Sequence, residues 1–349
     1  GTVDVTAHEI LDCDKVKEVL RPSGGNWGGT IVDDSYISFI TALVGQNTIK
    51  HFESKHALGL YELCREFEIT KRKISPHSDL KTTIRFPTAL EDSYREANAG
   101  GNVKALSEIF WQKEKRAISF YKDKLRIDTN TANAFFDESV SQIIQHLQTI
   151  LNSFEGKFIS TILLVGGFAE SAVLFDAVRR HFPERHVIIP KEAGWAVLAG
   201  AVIFGHDSSL IEKRKSKVTY GVACSQLFDP DIHEPKYLFF RDGKACCNNM
   251  FHKHVEIDEI INVGSYQSDE IYELTSTFDF TWDIYSSEEK NPMYITDEGC
   301  NKIGTLRLPK RDVDLDSKMR IQMSFSNTEI EVKMTYTKTG ESTQIFLEQ

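Results

Sequence analysis

Ile162-Leu163-Leu164-Val165-Gly166-Gly167-Phe168-Ala169-Glu170-Ser171 reads as a strand that breaks at two glycines and restarts as a helix. Four consecutive aliphatic residues predict a strand covered on both faces, as in the interior of a parallel sheet. Gly166 and Gly167 carry no Cβ at the carboxyl end of that strand, so a ligand can approach the backbone closely. Ser171 is placed to cap the next helix, whose apolar stripe runs through Leu174, Ala177, Val178 and His181 with Phe182. Free N–H groups at such a helix start suit a phosphate or nucleotide. A Gly-Gly turn also serves plain packing, so the rest of the chain has to decide.

Around this stretch, strand-like runs alternate with helical patterns. Gly1 to Leu11 reads as the end of one strand and most of the next, and Val32 to Leu43 opens a helical region that continues to about Ser75. Asn133 to Phe154 is amphipathic, with Phe136, Val140, Ile143, Ile144, Leu147 and Leu151 on one side. After the opening stretch come a strand at His186 to Ile189 and an apolar helix from about Glu192 to Phe204. This β-α-β-α order implies an open sheet with helices on its faces. An inserted subdomain is expected over about residues 36–126, within which Pro76 to Arg126 has little periodicity.

Texture changes near residue 210, where helical periodicity fades. Ile211 to Lys217 is highly charged and predicts an exposed linker. Beyond it, Met319, Ile321, Met323 and Phe325 alternate, as do Ile330, Val332, Met334 and Tyr336, with Ser326-Asn327-Thr328 between them as a hairpin turn. Val218 to Cys224, Tyr237 to Phe240, Thr277 to Ile284 and Gln344 to Leu347 supply further strands. The expectation is an antiparallel β-sandwich of about 130 residues. The domain boundaries are therefore 1–210, 211–217 and 218–349.

The 349 residues allow two or three domains, and 41% hydrophobic with 26% charged residues is ordinary globular composition. A net charge of −10 argues against a nucleic-acid surface. The longest apolar stretch, Ala196 to Gly205, is about half of the ~20 residues that span a bilayer. The six cysteines are scattered without a C-x-x-C pair, which fits reduced thiols and a cytoplasmic location. With Gly at position 1 and no leader, the chain is expected to be a processed, engineered or partial product. Cys246-Cys247 lies near His252-Lys253-His254, and residues 252 and 254 share a strand face. Neighbours like these are more often incidental than metal ligands.

Before Pro76, Glu68, Lys71, Arg72 and Ser75 follow an i, i+3, i+4, i+7 spacing that puts them on one helix face. The plain reading is a solvated flank with an ion pair from Glu68 to Arg72. The functional reading is a wall for a purine nucleoside, with Arg72 stacked on the base and Glu68 and Lys71 bonded to ribose hydroxyls. Spacing leaves both open.

Glu68-Ile69-Thr70-Lys71-Arg72-Lys73-Ile74-Ser75 resembles the adenosine-contacting helix of the 70-kDa heat-shock proteins, E-R-A-K-R-x-L-S. In the same order, Gly1-Thr2-Val3-Asp4-Val5-Thr6 resembles the end of that family's second phosphate loop, and Gly28-Gly29-Thr30-Ile31-Val32-Asp33 its G-G-x-x-F-D. Val165-Gly166-Gly167 resembles its adenosine motif, and Pro190-Lys191-Glu192-Ala193 followed by Ala199-Gly200-Ala201 resembles P-D-E-A…Y-G-A-A. Val313-Asp314-Leu315-Asp316 through Thr339-Gly340-Glu341 is similar to its substrate-binding strands. Gly166-Gly167-Phe168-Ala169-Glu170-Ser171 and Lys124-Leu125-Arg126-Ile127 point to the divergent heat shock 70 kDa protein 12A/12B branch.

The resemblance implies the second lobe of an actin-like (ribonuclease H-like) ATPase followed by a peptide-binding sandwich. It implies ATP or ADP with Mg2+ as cofactors and protein clients as partners. Its nucleotide contacts would fall on Gly1, Thr2, Gly28, Gly29, Glu68, Lys71, Arg72, Ser75, Gly166, Gly167, Phe168 and Glu170, with Asp4 as an outer-shell metal contact. Where the family places a second arginine against adenine, this chain has Glu170, and its linker is basic from Lys213 to Lys217. The lobe that supplies the catalytic groups would lie upstream of Gly1, so the chain as given is not expected to hydrolyse ATP. A non-catalytic interaction module and another actin-like kinase are the competing readings.

Overall fold

The computed structural model describes residues 1–114, 117–273, 280–308, 318–326 and 329–348. The chain divides into two compact units, Gly1–Val5 with Ser23–Val202 and Thr6–Pro22 with Ile203–Gln349. The first unit opens on strands β1 (Val3–Ile10) and β2 (Val16–Gly25), both of which cross the division. Helix α1 (Gly29–Val44) ends at Gly45, whose φ of 87° only glycine adopts without strain. The chain then continues as α2 (Gln46–Lys55) and α3 (Gly59–Lys71).

The poorly periodic stretch after Pro76 is a small α+β layer. Strands β3 (Thr82–Arg85), β4 (Ile118–Tyr121) and β5 (Lys124–Ile127) form an antiparallel sheet in the order β3-β5-β4. Helices α4 (Thr88–Ala97) and α5 (Leu106–Glu114) separate β3 from β4. Four-residue strands carry too few alternations to register as a period, which is why the sequence there looks featureless.

The amphipathic helix expected over Asn133 to Phe154 is two helices, α6 (Thr129–Ala134) and α7 (Asp137–Asn152). The break falls at Phe135 and Phe136, both buried in the core formed with α1 and α3. In that core Tyr36 stacks on Phe67 at 4.0 Å, and Phe135 meets Phe67 edge-on at 5.6 Å. Ile143, Ile144, Leu147 and Leu151 of α7 instead pack with Leu174 and Val178 of α8 (Ala172–His181).

The opening strand departs from expectation. Among the described residues, strand β6 (Thr161–Leu163) pairs in parallel only with β7 (His186–Ile188), forming a two-stranded sheet. Ile162 is buried, whereas Leu163 and Val165 are exposed. The following helix α9 (Ala193–His206) is apolar along its length yet exposes Trp195 (67%), Leu198 and Val202 (66%) to water. Helices of that composition belong in an interior. The run of aliphatic residues therefore marks a surface suited to burial that this chain leaves uncovered.

The second unit is built of strands. Ile211–Lys215, expected to be an exposed linker, is half-buried strand β8, parallel to β2 at Val16↔Ile211 and antiparallel to β12 (Ile260–Asn262). Its charged side chains hid a strand that lies within the sheet β1-β2-β8-β12. Strands β9 (Thr219–Leu227), β10 (Leu238–Arg241), β11 (Lys244–Val255), β14 (Phe280–Ser287) and β15 (Cys300–Leu308) form a second sheet, ordered β10-β11-β9-β14-β15. Strands β13 (Tyr266–Glu273), β16 (Lys318–Phe325), β17 (Glu329–Tyr336) and β18 (Ser342–Glu348) form a third, in that order.

The latter two sheets share one core. Val222 and Ile284 of the five-stranded sheet meet Met319, Ile321, Met323, Val332 and Met334 of the four-stranded one. The alternation read from β16 and β17 is the alternation of buried positions. Val313-Asp314-Leu315-Asp316, the hairpin residues 327 and 328, and 277–279 of the expected Thr277 to Ile284 strand lie outside the described residues.

Phe67 is fully buried and stacked on Tyr36, so Phe67→Ala is expected to cost about 3–5 kcal/mol of stability, read from urea unfolding. A loss below about 1 kcal/mol would show that this aromatic stack does not organise the first unit.

Candidate nucleotide site

Three segments distant in sequence meet in the first unit. Gly28 caps α1, and its N–H donates to the Gly1 carbonyl at 3.1 Å. A Cβ on Gly28 would lie 2.5 Å from that oxygen, so no other residue fits without moving the backbone. The Gly1 amino group donates to Thr30 Oγ1 at 2.7 Å. The predicted phosphate-loop end and the Gly28-Gly29 turn therefore lie side by side.

Lys71, the last residue of α3, reaches back to this turn. Its Nζ donates to the Gly29 carbonyl (3.1 Å) and to both oxygens of Asp33 (2.8 and 3.0 Å). It also pairs with Glu68 Oε2 at 2.5 Å. Glu68 Oε1 in turn accepts from Arg72 Nε at 3.0 Å. Burial works against the Glu68 carboxylate, but bonds from Lys71 and Arg72 outweigh it and hold the group below the usual range. Burial pushes the Asp33 carboxyl up despite its bonds to Lys71.

The Gly-Gly turn supplies the third segment. Gly166 adopts φ 92°, and its N–H donates to the Ala193 carbonyl at the start of α9 (2.8 Å). Open space lies over the Cβ positions of Gly166 and Gly167. Ser171 caps α8 as expected, through Leu174 N–H. Phe168 stacks in parallel on Phe136 at 6.4 Å, and the position a Gly29 Cβ would take lies 3.5 Å from its ring. Phe168 therefore wedges the turn against α1. Glu170 is exposed, with Oε1 3.3 Å from the position a Gly194 Cβ would occupy.

Of the expected set, Gly1, Gly28, Gly29, Glu68, Lys71, Arg72 and Phe168 are brought together by these contacts. The helix face extending to Ser75 is not formed. Helix α3 stops at Lys71, Arg72 is its C-cap and Ser75 lies in the following turn. Pro76 disfavours a helical Ser75, which accounts for the early stop. Lys71 is also buried, committed to Asp33 and Glu68 rather than free for a ribose. Asp33 was overlooked as a site residue; its signal was the acidic residue that ends the Gly28-to-Asp33 motif.

Arg72, with its side chain 62% exposed, is the cation here that can swing onto a planar ring. Asp4 is exposed and accepts from the Thr2 hydroxyl at 3.3 Å. Among the described residues no group of three or more His, Cys, Asp or Glu could hold a metal ion. A lone carboxylate suits an outer-shell contact to hydrated Mg2+ and no more.

No protein-family model matches the chain. Heat shock 70 kDa protein 12A of Mus musculus is 31% identical over 361 residues, covering 99% of this chain and 52% of that protein. The Homo sapiens protein of that name gives the same values. Heat shock 70 kDa protein 12B of Homo sapiens is 29% identical over 367 residues, 98% of this chain and 52% of that protein. The chain is a homologue of the 12A/12B branch of the 70-kDa heat-shock proteins. It spans about half the length of these relatives. The relationship implies an actin-like ATPase fold. Three of the motifs that carry the resemblance, at Gly1, Gly28-Gly29 and Glu68 to Arg72, meet at the Gly28-Gly29 turn.

Asp33→Asn removes the carboxylate opposite a buried ammonium and is expected to destabilise the first unit by about 1–3 kcal/mol in urea unfolding. Ser75→Ala, beyond the helix end, should stay within about 0.5 kcal/mol of wild type.

Proposed function

We propose that the chain contributes the adenosine half of a chaperone-type nucleotide site, as part of the second lobe of an actin-like domain. One observation carries the reading: the Gly28-Gly29 turn, the Lys71–Glu68–Arg72 chain and the Gly166-Gly167 turn come together around Gly29. A nucleoside ring would stack on Arg72, its ribose hydroxyls would bond Glu68, and the bare glycines would admit the backbone-side phosphates. Asp4 would act through water on the Mg2+ that accompanies those phosphates. Lys71 positions Glu68 and leaves ligand contact to its neighbours.

ATP hydrolysis requires groups that position metal and water from both sides of the phosphates, and these residues supply one side. The chain by itself is therefore proposed to bind and not to turn over. The uncovered surface of α9, Leu163 and Val165 fits a packing site for the lobe that completes the domain.

The two-sheet unit is proposed to be the client-binding sandwich, which takes extended peptides through backbone bonds and side-chain pockets. A cleft of about 650 Å3 in it is lined by Leu227, Ile232, Met250, Phe251, Pro292 and Met293. Free cysteines fit the reducing cytoplasm or nucleus. Among the described residues no helix is long and apolar enough to cross a membrane.

A second reading has its own support. Arg72 is already engaged by Glu68, and Glu170 stands where the family's other adenine-facing cation would be. On that reading the fold persists as a binding module without useful nucleotide affinity. Calorimetric titration with ADP separates the two. Saturable binding that weakens roughly tenfold in Arg72→Ala supports the nucleotide site, since a stacked cation contributes about 1–2 kcal/mol. Absence of heat at millimolar ADP leaves the interaction module.

A further inference from the structure

His252 and His254, set aside as metal ligands, point from β11 toward the four-stranded sheet. His252 Nδ1 lies 2.6 Å from Tyr272 Oη, and His254 Nε2 lies 2.7 Å from the same oxygen. His254 Nδ1 is 2.7 Å from Ser268 Oγ. Tyr272 and Ser268 belong to β13, the edge strand of the other sheet. Trp282 of β14 closes over Tyr272, with ring centres 4.9 Å apart. Three hydrogen bonds in series therefore cross from one sheet to the other.

We infer that the His252–Tyr272–His254–Ser268 chain is an acid-released latch that fixes edge strand β13 against β11. Each of its three links needs one proton, and two neutral rings, one phenol and one hydroxyl supply them in either direction along the chain. A further proton leaves the bonds intact but places a charge among buried groups. Among the described residues the neighbouring carboxylates already have partners. Glu256 is held by Lys253 (2.5 Å) and Lys290 (2.8 Å), and Asp258 by Arg21 (2.8 Å). Glu259 accepts from the Glu256 N–H at 2.8 Å.

The other titratable neighbours do not help. Cys224 of β9 is a thiol that burial pushes up to about 11, Glu270 of β13 is exposed, and His252 would only repel a second cation. Burial, reinforced by His252, pushes His254 down to about 3. A released ring returns to an ordinary value near 6.5, so release takes up protons. The latch is at full strength above about pH 6.5 and weakens as pH falls toward 3.

The opposite side of the unit is closed by different chemistry. There, Leu347 and Ile345 of β18 pack onto Gly304 of β15, where a Cβ would come within 2.8 Å of Leu347. No titratable group takes part in that contact, so acid opens one side and leaves the other shut. This inference is independent of the nucleotide and client readings.

Hydrogen exchange of the whole chain, corrected for intrinsic rates, tests it at about pH 7.5 and pH 5.0. Protection of 266–273 is expected to fall by roughly tenfold at the lower pH, with the β15 and β18 amides changing less than about twofold. In His254→Gln, which keeps a hydrogen-bonding group that does not titrate, the response of 266–273 should flatten. An equal loss in both regions, or the same pH response in wild type and His254→Gln, overturns the latch. Ring-carbon NMR of the wild-type histidines gives a check that needs no variant. Protonation of His254 must coincide with loss of β13 protection; a ring that titrates near 6.5 with β13 still protected refutes the inference.

Discussion

Lys71 is a buried ammonium group at the last turn of α3, and the first unit is organised around satisfying it. Two carboxylates and one carbonyl surround the nitrogen, from α1, from the preceding turn of α3 and from the glycine that starts α1. Burying a charge without such partners would be prohibitive, so the arrangement fixes where α1 begins relative to where α3 ends. The same contacts commit Glu68 to one rotamer and leave Arg72 as the movable cation beside it. Electrostatic requirements of one side chain thereby set the geometry of a whole candidate site.

Aromatic packing keeps that geometry from drifting. Tyr36, Phe67 and Phe135 join α1 to α3 and to the start of the α7 region, directly beneath the Lys71 cluster. Phe168 performs the equivalent task for the Gly-Gly turn, since its ring lies on Phe136 and faces Gly29. Bare glycines next to rigid rings give a surface that is open at the backbone yet fixed in position. A ligand meeting it would encounter little reorganisation.

Much of this was legible in the sequence because the deciding signals are local. The alternation of β16, that of β17 and the Ser171 cap are each written within ten residues. What escaped was set by contacts between distant segments. The charges of Ile211–Lys215 concealed a strand because β2 and β12 supply its partners from far along the chain. Phe135 and Phe136 continued the helical pattern while burial broke the helix between α6 and α7. Lys71 looked like a solvent-facing residue because its partner Asp33 is 38 positions away. Ile162 to Val165 had the composition of a covered strand, yet Leu163 and Val165 are exposed.

The bare surface of α9 has a thermodynamic consequence for measurements on the molecule. Trp195, Val197, Leu198, Val202 and Ile203 lose water contact in any association that meets this helix, whether or not the association is specific. For any such association, folding and association are linked equilibria, and the apparent melting temperature then depends on protein concentration. A scan at one concentration reports both processes together, and a dilution series separates the intrinsic stability of the fold from the contribution of self-association.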